Sequence, residues 1–211
     1  MDALTEDKAI VLAAKPLARD ALMATVLTQH FGLVVGVCGN ALKGRAAAYH
    51  VVGQMHAGRH LHMAIQNTPA IQGTLCRLQA LKPLRQPFTA CDVDDGQVLG
   101  WFRTLIDHLP QRHPYPLLYK GLLHLMAAKG STDWLWTEVW FGCLLLRQVG
   151  YGLSRAKPET LSFRALHVLN IPFDEAKALM QGPEGVSSEE LTKALFQVRH
   201  LLHKRARAAA L

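Results

Sequence analysis

The sequence predicts an α+β chain: a small five-stranded barrel over residues 1–85, followed by an all-helical domain over residues 90–211. Two observations carry this expectation. Up to Pro87 the apolar runs are short, rich in Val, Ile, Leu and Thr, and separated by Gly, Pro or Asn, which is the pattern of strands and turns. Beyond Pro87 the apolar residues recur at a spacing of three and four over longer segments, which is the pattern of helices.

Five runs supply the strands: KAIVLAA, MATVLTQ, LVVGVCG, RHLHMAI and TLCRLQAL. The fourth alternates, with Leu61, Met63 and Ile65 on one face and His60 and His62 on the other, as in a half-buried strand with a polar outer face. Five short strands in so little chain suggest a closed or Greek-key barrel such as an OB-fold. In the second half, DDGQVLGWFRTLIDHL opens on Asp94 or Asp95 as a candidate N-cap. PLLYKGLLHLMAA places Leu118, Leu122 and Met126 on one face and ends near Gly130. DWLWTEVWFGCLLLRQVG is apolar on almost every side, so it predicts the buried central helix of a bundle. Trp134, Trp136 and Trp140 therefore read as core rather than as a platform for bases. Shorter helices are expected over 161–169 and 173–180. The last helix starts at a capping box around Ser187-Ser188-Glu189-Glu190 and buries Leu191, Leu195, Val198 and Leu202.

The chain has 211 residues, half of them hydrophobic, and a net charge of +7. That is enough apolar material for a core and argues against disorder as the main theme. The charge is uneven. Residues 21–90 contain Lys43, Arg45, Arg59, Arg77, Lys82 and Arg85 and no Asp or Glu. A surface of one sign attracts a polyanion. The stretch from Gly39 to Arg45 shows the effect locally: a strand ends in a glycine-containing loop with two cations and no acid. Phosphate would supply the missing charge there.

Other classes of function fit poorly. There is no P-loop, no G-x-S-x-G and no H-E-x-x-H. Cys38, Cys76, Cys91 and Cys143 are far apart and read as buried free thiols, not as a zinc site. His56, His60 and His62 are a metal-ligand possibility that a polar strand face explains better. No metal and no cofactor are expected. The N-terminus is acidic before its first apolar run, unlike a targeting sequence, and the longest apolar stretch contains Glu138 and is too short to span a bilayer. A cytoplasmic location without membrane attachment is the expectation.

Four stretches resemble one family. KAIVLAAKPLARDALMATVLTQHFGLVVGVCGN is similar to the opening of the bacterial recombination mediator RecO, in which an I-V-L strand leads to an R/K-P-L segment, an L-T-x-x-x-G turn and a strand ending in a basic loop. Gly53, after YHVV, falls where that family usually has L-Q-P-G. LPQRHPYPLLYKGLLHLM resembles its L-P-E-x-x-P-x-P-x-L-Y-x-x-L-L segment, and VWFGCLLLRQVGYGLSRA its helix closing in L-G-F/Y-G-L. The resemblance covers most of residues 7–156. The sequence departs from the pattern at Val51-Val52, where Gln-Pro is usual. It departs again near Ala156, where many members place the first cysteine of a zinc-binding insert; the chain reads as a short form without that insert. The resemblance implies an N-terminal OB-fold and a helical C-terminal domain. It implies a non-enzymatic, nucleoid-associated DNA-repair and recombination mediator that binds single- and double-stranded DNA, anneals complementary strands, and helps load RecA together with RecR and the single-stranded-DNA-binding protein SSB. On this reading Lys15, Arg19, Lys43, Arg45, Arg59, Arg77, Lys82 and Arg85 contact DNA. Arg112, Lys120 and Arg147, which flank the apolar helices, receive the acidic, apolar tail of SSB. Two other readings are an RNA-binding OB module tied to ribosome assembly and a protein-binding scaffold whose basic face meets an acidic tail.

Overall fold

The computed structural model describes residues 4–18, 21–39, 55–67, 75–84, 96–150, 173–175 and 186–209. The strands are β1 (Leu4–Ala18), β2 (Ala21–Thr28), β3 (Gly32–Gly39), β4 (His60–Asn67) and β5 (Leu75–Pro83). The described helices are α1 (Gly96–His108), α2 (Pro116–Ala128), α3 (Trp134–Gln148) and α4 (Ser188–Ala209). Residues 173–175 are also helical. The strands close into a barrel in the order β1-β2-β3-β5-β4, with β3 and β5 parallel and all other pairs antiparallel. This is the expected OB-fold barrel, followed by an all-helical C-terminal part. The chain divides into two compact units, Met1–Tyr119 and Lys120–Leu211. The boundary expected between residues 85 and 90 lies outside the described residues.

Alternation builds the barrel interior. Ala9 and Val11, Ala24 and Val26, Val34 and Cys38, Leu61, Met63 and Ile65, and Cys76, Leu78 and Ala80 all point inward and are buried. Gly36 occupies the inward position between Val34 and Cys38. A Cβ there would lie 2.5 Å from the Cys76 carbonyl oxygen, so only glycine allows β3 this close to β5. β1 is long enough to close the barrel, pairing with β4 through Leu4–Ile10 and with β2 through Ala9–Ala18. A register shift between Val11 and Ala13 bends it, as a bulge does. The segment before β4 fills the bend: Val11 N–H donates to the Arg59 carbonyl and Gly58 N–H to the Val11 carbonyl.

One end of the barrel's outer surface is covered. Ile10, Leu27 and Leu33 point outward by register yet are buried, and so is Leu12 at the β1 bulge. α1 lies against β1 and buries Val98, Trp101, Phe102 and Leu105, one helical stripe. Arg112, at φ 59°, donates its backbone N–H to the Leu33 carbonyl. Gly32, at φ +73°, lets this same loop approach: a Cβ would overlap the His113 carbonyl oxygen. His60 is also on the covered end. It is buried, not on a wet outer face as its alternation suggests, and its Nε2 lies 2.5 Å from the Tyr119 hydroxyl. Tyr119 lies 59 residues away in the chain, and the pattern of a single strand cannot reveal such a partner.

The second unit is organised by α3, which is buried continuously from Trp136 to Leu146. Gly121 permits close packing of α2, since a Cβ would sit 2.9 Å from Leu144 Cδ2 and 3.2 Å from Phe141. α4 packs against α3 and buries Leu191, Ala194, Val198 and Leu202, while Leu195 is only half-buried. Its start is the expected capping box: Glu190 N–H donates to Ser187 Oγ and Ser187 N–H donates back to the Glu190 carboxylate. Buried Glu138 is matched by Arg199 at 2.5 Å. The helix expected over 161–169, Asp94 and Asp95 lie outside the described residues.

Candidate nucleic-acid interface

Cross-strand register selects one open wall of the barrel. Lys15 pairs with Met23, Met23 with Val37, and Val37 with Arg77, so one row crosses β1, β2, β3 and β5. The neighbouring row is Ala13, Thr25, Val35 and Leu75. These residues alternate with the buried interior set, so their side chains point outward. Met23, Val37, Arg77, Ala13, Thr25, Val35 and Leu75 are half-buried and Lys15 is exposed. The result is a shallow apolar strip with a cation at each end, about 14 Å apart by strand spacing.

The position of Lys15 depends on the β1 bulge. Counted from inward-facing Ala9 and Val11, residue 15 would also face inward. The shift between Val11 and Ala13 reverses the parity, putting Ala14 against the core and Lys15 outside. Lys82 is turned out in the same way. Cys76, Leu78 and Ala80 face inward, and a register shift opposite His62/Met63 leaves Lys82 paired with outward His62.

The predicted DNA contacts therefore fall into groups. Lys15 and Arg77 share the row just described. Lys82 lies on the β4 side of the barrel, opposite His62, and Arg59 is exposed beside the β1 bulge. Arg19, Lys43, Arg45 and Arg85 lie outside the described residues. Among the residues proposed to meet a protein partner, Arg112 belongs to the first unit, where its Nη2 donates to Cys76 Sγ at 3.3 Å. Lys120 and Arg147 are exposed residues of the second unit. Lys8, exposed on β1 and paired with His62, escaped the sequence reading because only the β1–β4 register reveals its neighbours.

Acid–base groups in the barrel serve the fold. Asp7 is buried and accepts hydrogen bonds from the backbone N–H groups of Lys8 and His30, both at 2.8 Å; His30 Nδ1 lies 2.8 Å from the same carboxylate. The other nitrogen of His30 lies 3.2 Å from Gln29 Nε2. This arrangement fixes the β2–β3 turn, which Thr28 Oγ1 also braces by donating to the Gly32 carbonyl and accepting from Phe31 N–H. Burial pushes the Cys38 thiol up, and Cys143 up to about 12. Both are poor thiolates at neutral pH, and so poor nucleophiles or metal ligands. Cys76 is buried too and its Sγ accepts from Arg112, and Cys91 lies outside the described residues. Among the described residues no three His, Cys, Asp or Glu side chains gather as a metal site, and no helix is long and apolar enough to cross a membrane.

No family model matches the chain. The chain is 28% identical over 154 residues to a protein of Rhodospirillum centenum described as "DNA repair protein RecO". The aligned region covers 70% of this chain but 57% of that relative, so the chain spans little more than half the relative's length. Together with the OB-fold barrel and the helical C-terminal part, the similarity supports a relationship at the level of the RecO family and singles out no subtype within it.

Proposed function

We propose that this chain is a non-enzymatic DNA-repair mediator of the RecO type, which binds single strands on the β2–β3 wall and promotes their annealing. The observation that carries the reading is the row Lys15–Met23–Val37–Arg77. Cations at its ends suit phosphates, and half-exposed Met23, Val37, Thr25 and Val35 offer an apolar floor to bases. Neither β2 nor β3 contains an aromatic residue. Stacking on aromatic rings stabilises a bound base by about 1–3 kcal/mol, and this wall lacks that grip. Held by its backbone, a strand keeps its bases free to pair. Annealing requires only that the repulsion between two phosphate chains be screened while the bases remain available, so no bond is made or broken by the protein.

On the same reading Lys43 and Arg45, with Arg19, Arg59 and Arg85, extend the phosphate path, and double-stranded DNA binds by the same sequence-independent attraction. Lys120 and Arg147 receive the acidic tail of SSB. RecR joins the complex and RecA loading follows. The site of action is the cytoplasmic nucleoid. Competition binding tests the substrate class: unlabelled single-stranded DNA should displace a labelled strand better than structured RNA or an acidic peptide does. Preferential displacement by RNA would favour a ribosome-associated role, and displacement by the peptide alone would favour a protein scaffold.

A further inference from the structure

The barrel carries a second cationic row on the opposite arc from the first. Lys8 on β1 pairs with His62 on β4, and His62 pairs with Lys82 on β5. All three point outward. Lys8 and Lys82 are exposed and His62 is half-buried. Three strands at about 4.8 Å spacing put the two lysines about 10 Å apart. Among the described residues one acid shares the wall: Glu6, whose carboxylate lies 3.4 Å from His62 Nε2. The two lysines leave the wall net positive.

Both rows begin on β1 and end on β5, but they run round the closed barrel in opposite directions. The first passes over β2 and β3, the second over β4. Along β1, Lys8 and Lys15 are seven residues apart, roughly 23 Å at strand rise. On β5 the rows come closer, Arg77 and Lys82 being five residues apart or roughly 16 Å, so only a strand of a few nucleotides lies across one row without reaching the other.

We propose that the Lys8–His62–Lys82 wall is a second nucleic-acid site, so that one barrel holds two strands at once by their phosphates. This rests on the reading of the β2–β3 wall as the first site. It gives an annealing protein a means of raising the local concentration of a second strand. It also separates the cations into two sets, since loss of the second set weakens the holding of a second strand more than the capture of the first.

The test uses the full chain and two short, non-complementary DNA strands, one with a donor dye and one with an acceptor. Anisotropy reads binding of one strand, and energy transfer reads bridging of two. With Lys8→Gln and Lys82→Gln together, the salt slope of bridging should fall by about 1.4, two phosphate contacts at about 0.7 each, and one-strand binding should lose less than bridging does. Each single variant should give about half that change in slope, which guards against a folding defect in the double variant. Unaltered bridging overturns the second site. So does a parallel fall in one-strand binding and bridging, which would mean that one strand wraps both walls. If the unsubstituted protein binds one strand and never bridges two, the second site alone is refuted. If it binds no strand, the reading of the first wall falls as well.

Discussion

Lys15→Ala combined with Arg77→Ala removes both cations of the β2–β3 row and leaves its apolar floor in place. Lys15 is exposed and Arg77 half-buried, and neither belongs to the interior set, so the barrel core is untouched. For single strands each lost phosphate contact lowers the slope of log affinity against log salt by about 0.7, so the double variant should lose about 1.4. Between 50 and 200 mM salt, a fourfold change, that difference is worth roughly sevenfold: the native protein should lose about seven times more affinity over this range than the variant. Fluorescence anisotropy with oligonucleotides of several sequences measures it. The loss at low salt should be the same for every sequence, because backbone contacts carry no base information. An unchanged slope in a folded variant would refute phosphate contact at this row. A loss confined to particular sequences would refute the claim that the bases are left free.

Three further outcomes test the framework that positions the wall. Gly36→Ala should lower stability by about 1–3 kcal/mol in denaturant unfolding, because its Cβ would strike the Cys76 carbonyl and the Leu78 side chain in a filled interior; an unaltered midpoint would contradict the close β3–β5 approach. Arg199→Ala should cost about 1–2 kcal/mol by removing the guanidinium that faces the buried Glu138 carboxylate, a figure kept small because Arg199 is half-exposed, and Glu138→Gln in that background should recover part of it. Burial, aided by the Lys8 charge, holds His60 below its ordinary value of 6.5. The unfolded chain therefore takes up this proton at higher pH than the folded one. The stability due to neutral His60 is complete above about pH 6.5 and is lost as pH falls through the folded value. Urea midpoints between pH 7.5 and 5 should fall more steeply for the native protein than for His60→Gln.

Much of the barrel is legible in local pattern, because an inward face of alternating apolar residues is written into each strand. All five runs form strands, and Leu61, Met63 and Ile65 face inward as their alternation predicts. The all-round apolarity of α3 and the Ser187–Glu190 cap are equally local, and both appear. Features set by register are not legible in this way. Bulges near Leu12 and Leu81 reverse the facing of Lys15 and Lys82, and neither run announces its bulge. His60 looks like a surface residue until Tyr119 covers it. Arg112, which reads as a flanking cation of the apolar helices, is tied by its backbone and guanidinium to β3 and β5. The charge excess of residues 21–90 is plain in the sequence, but Arg77 and Lys82 share rows with Lys15 and Lys8 only through the closure of β1 on β4 and of β3 on β5, pairings between segments far apart in the chain.

The most direct measurement is the rate at which complementary strands pair when each is coated with SSB. If the barrel holds strands by their phosphates and leaves the bases free, the native protein should accelerate pairing at low salt. The acceleration should fade as salt rises and should be lost in the Lys15→Ala, Arg77→Ala variant. Pairing no faster than in the absence of the protein, while the same preparation binds single strands, would contradict the account.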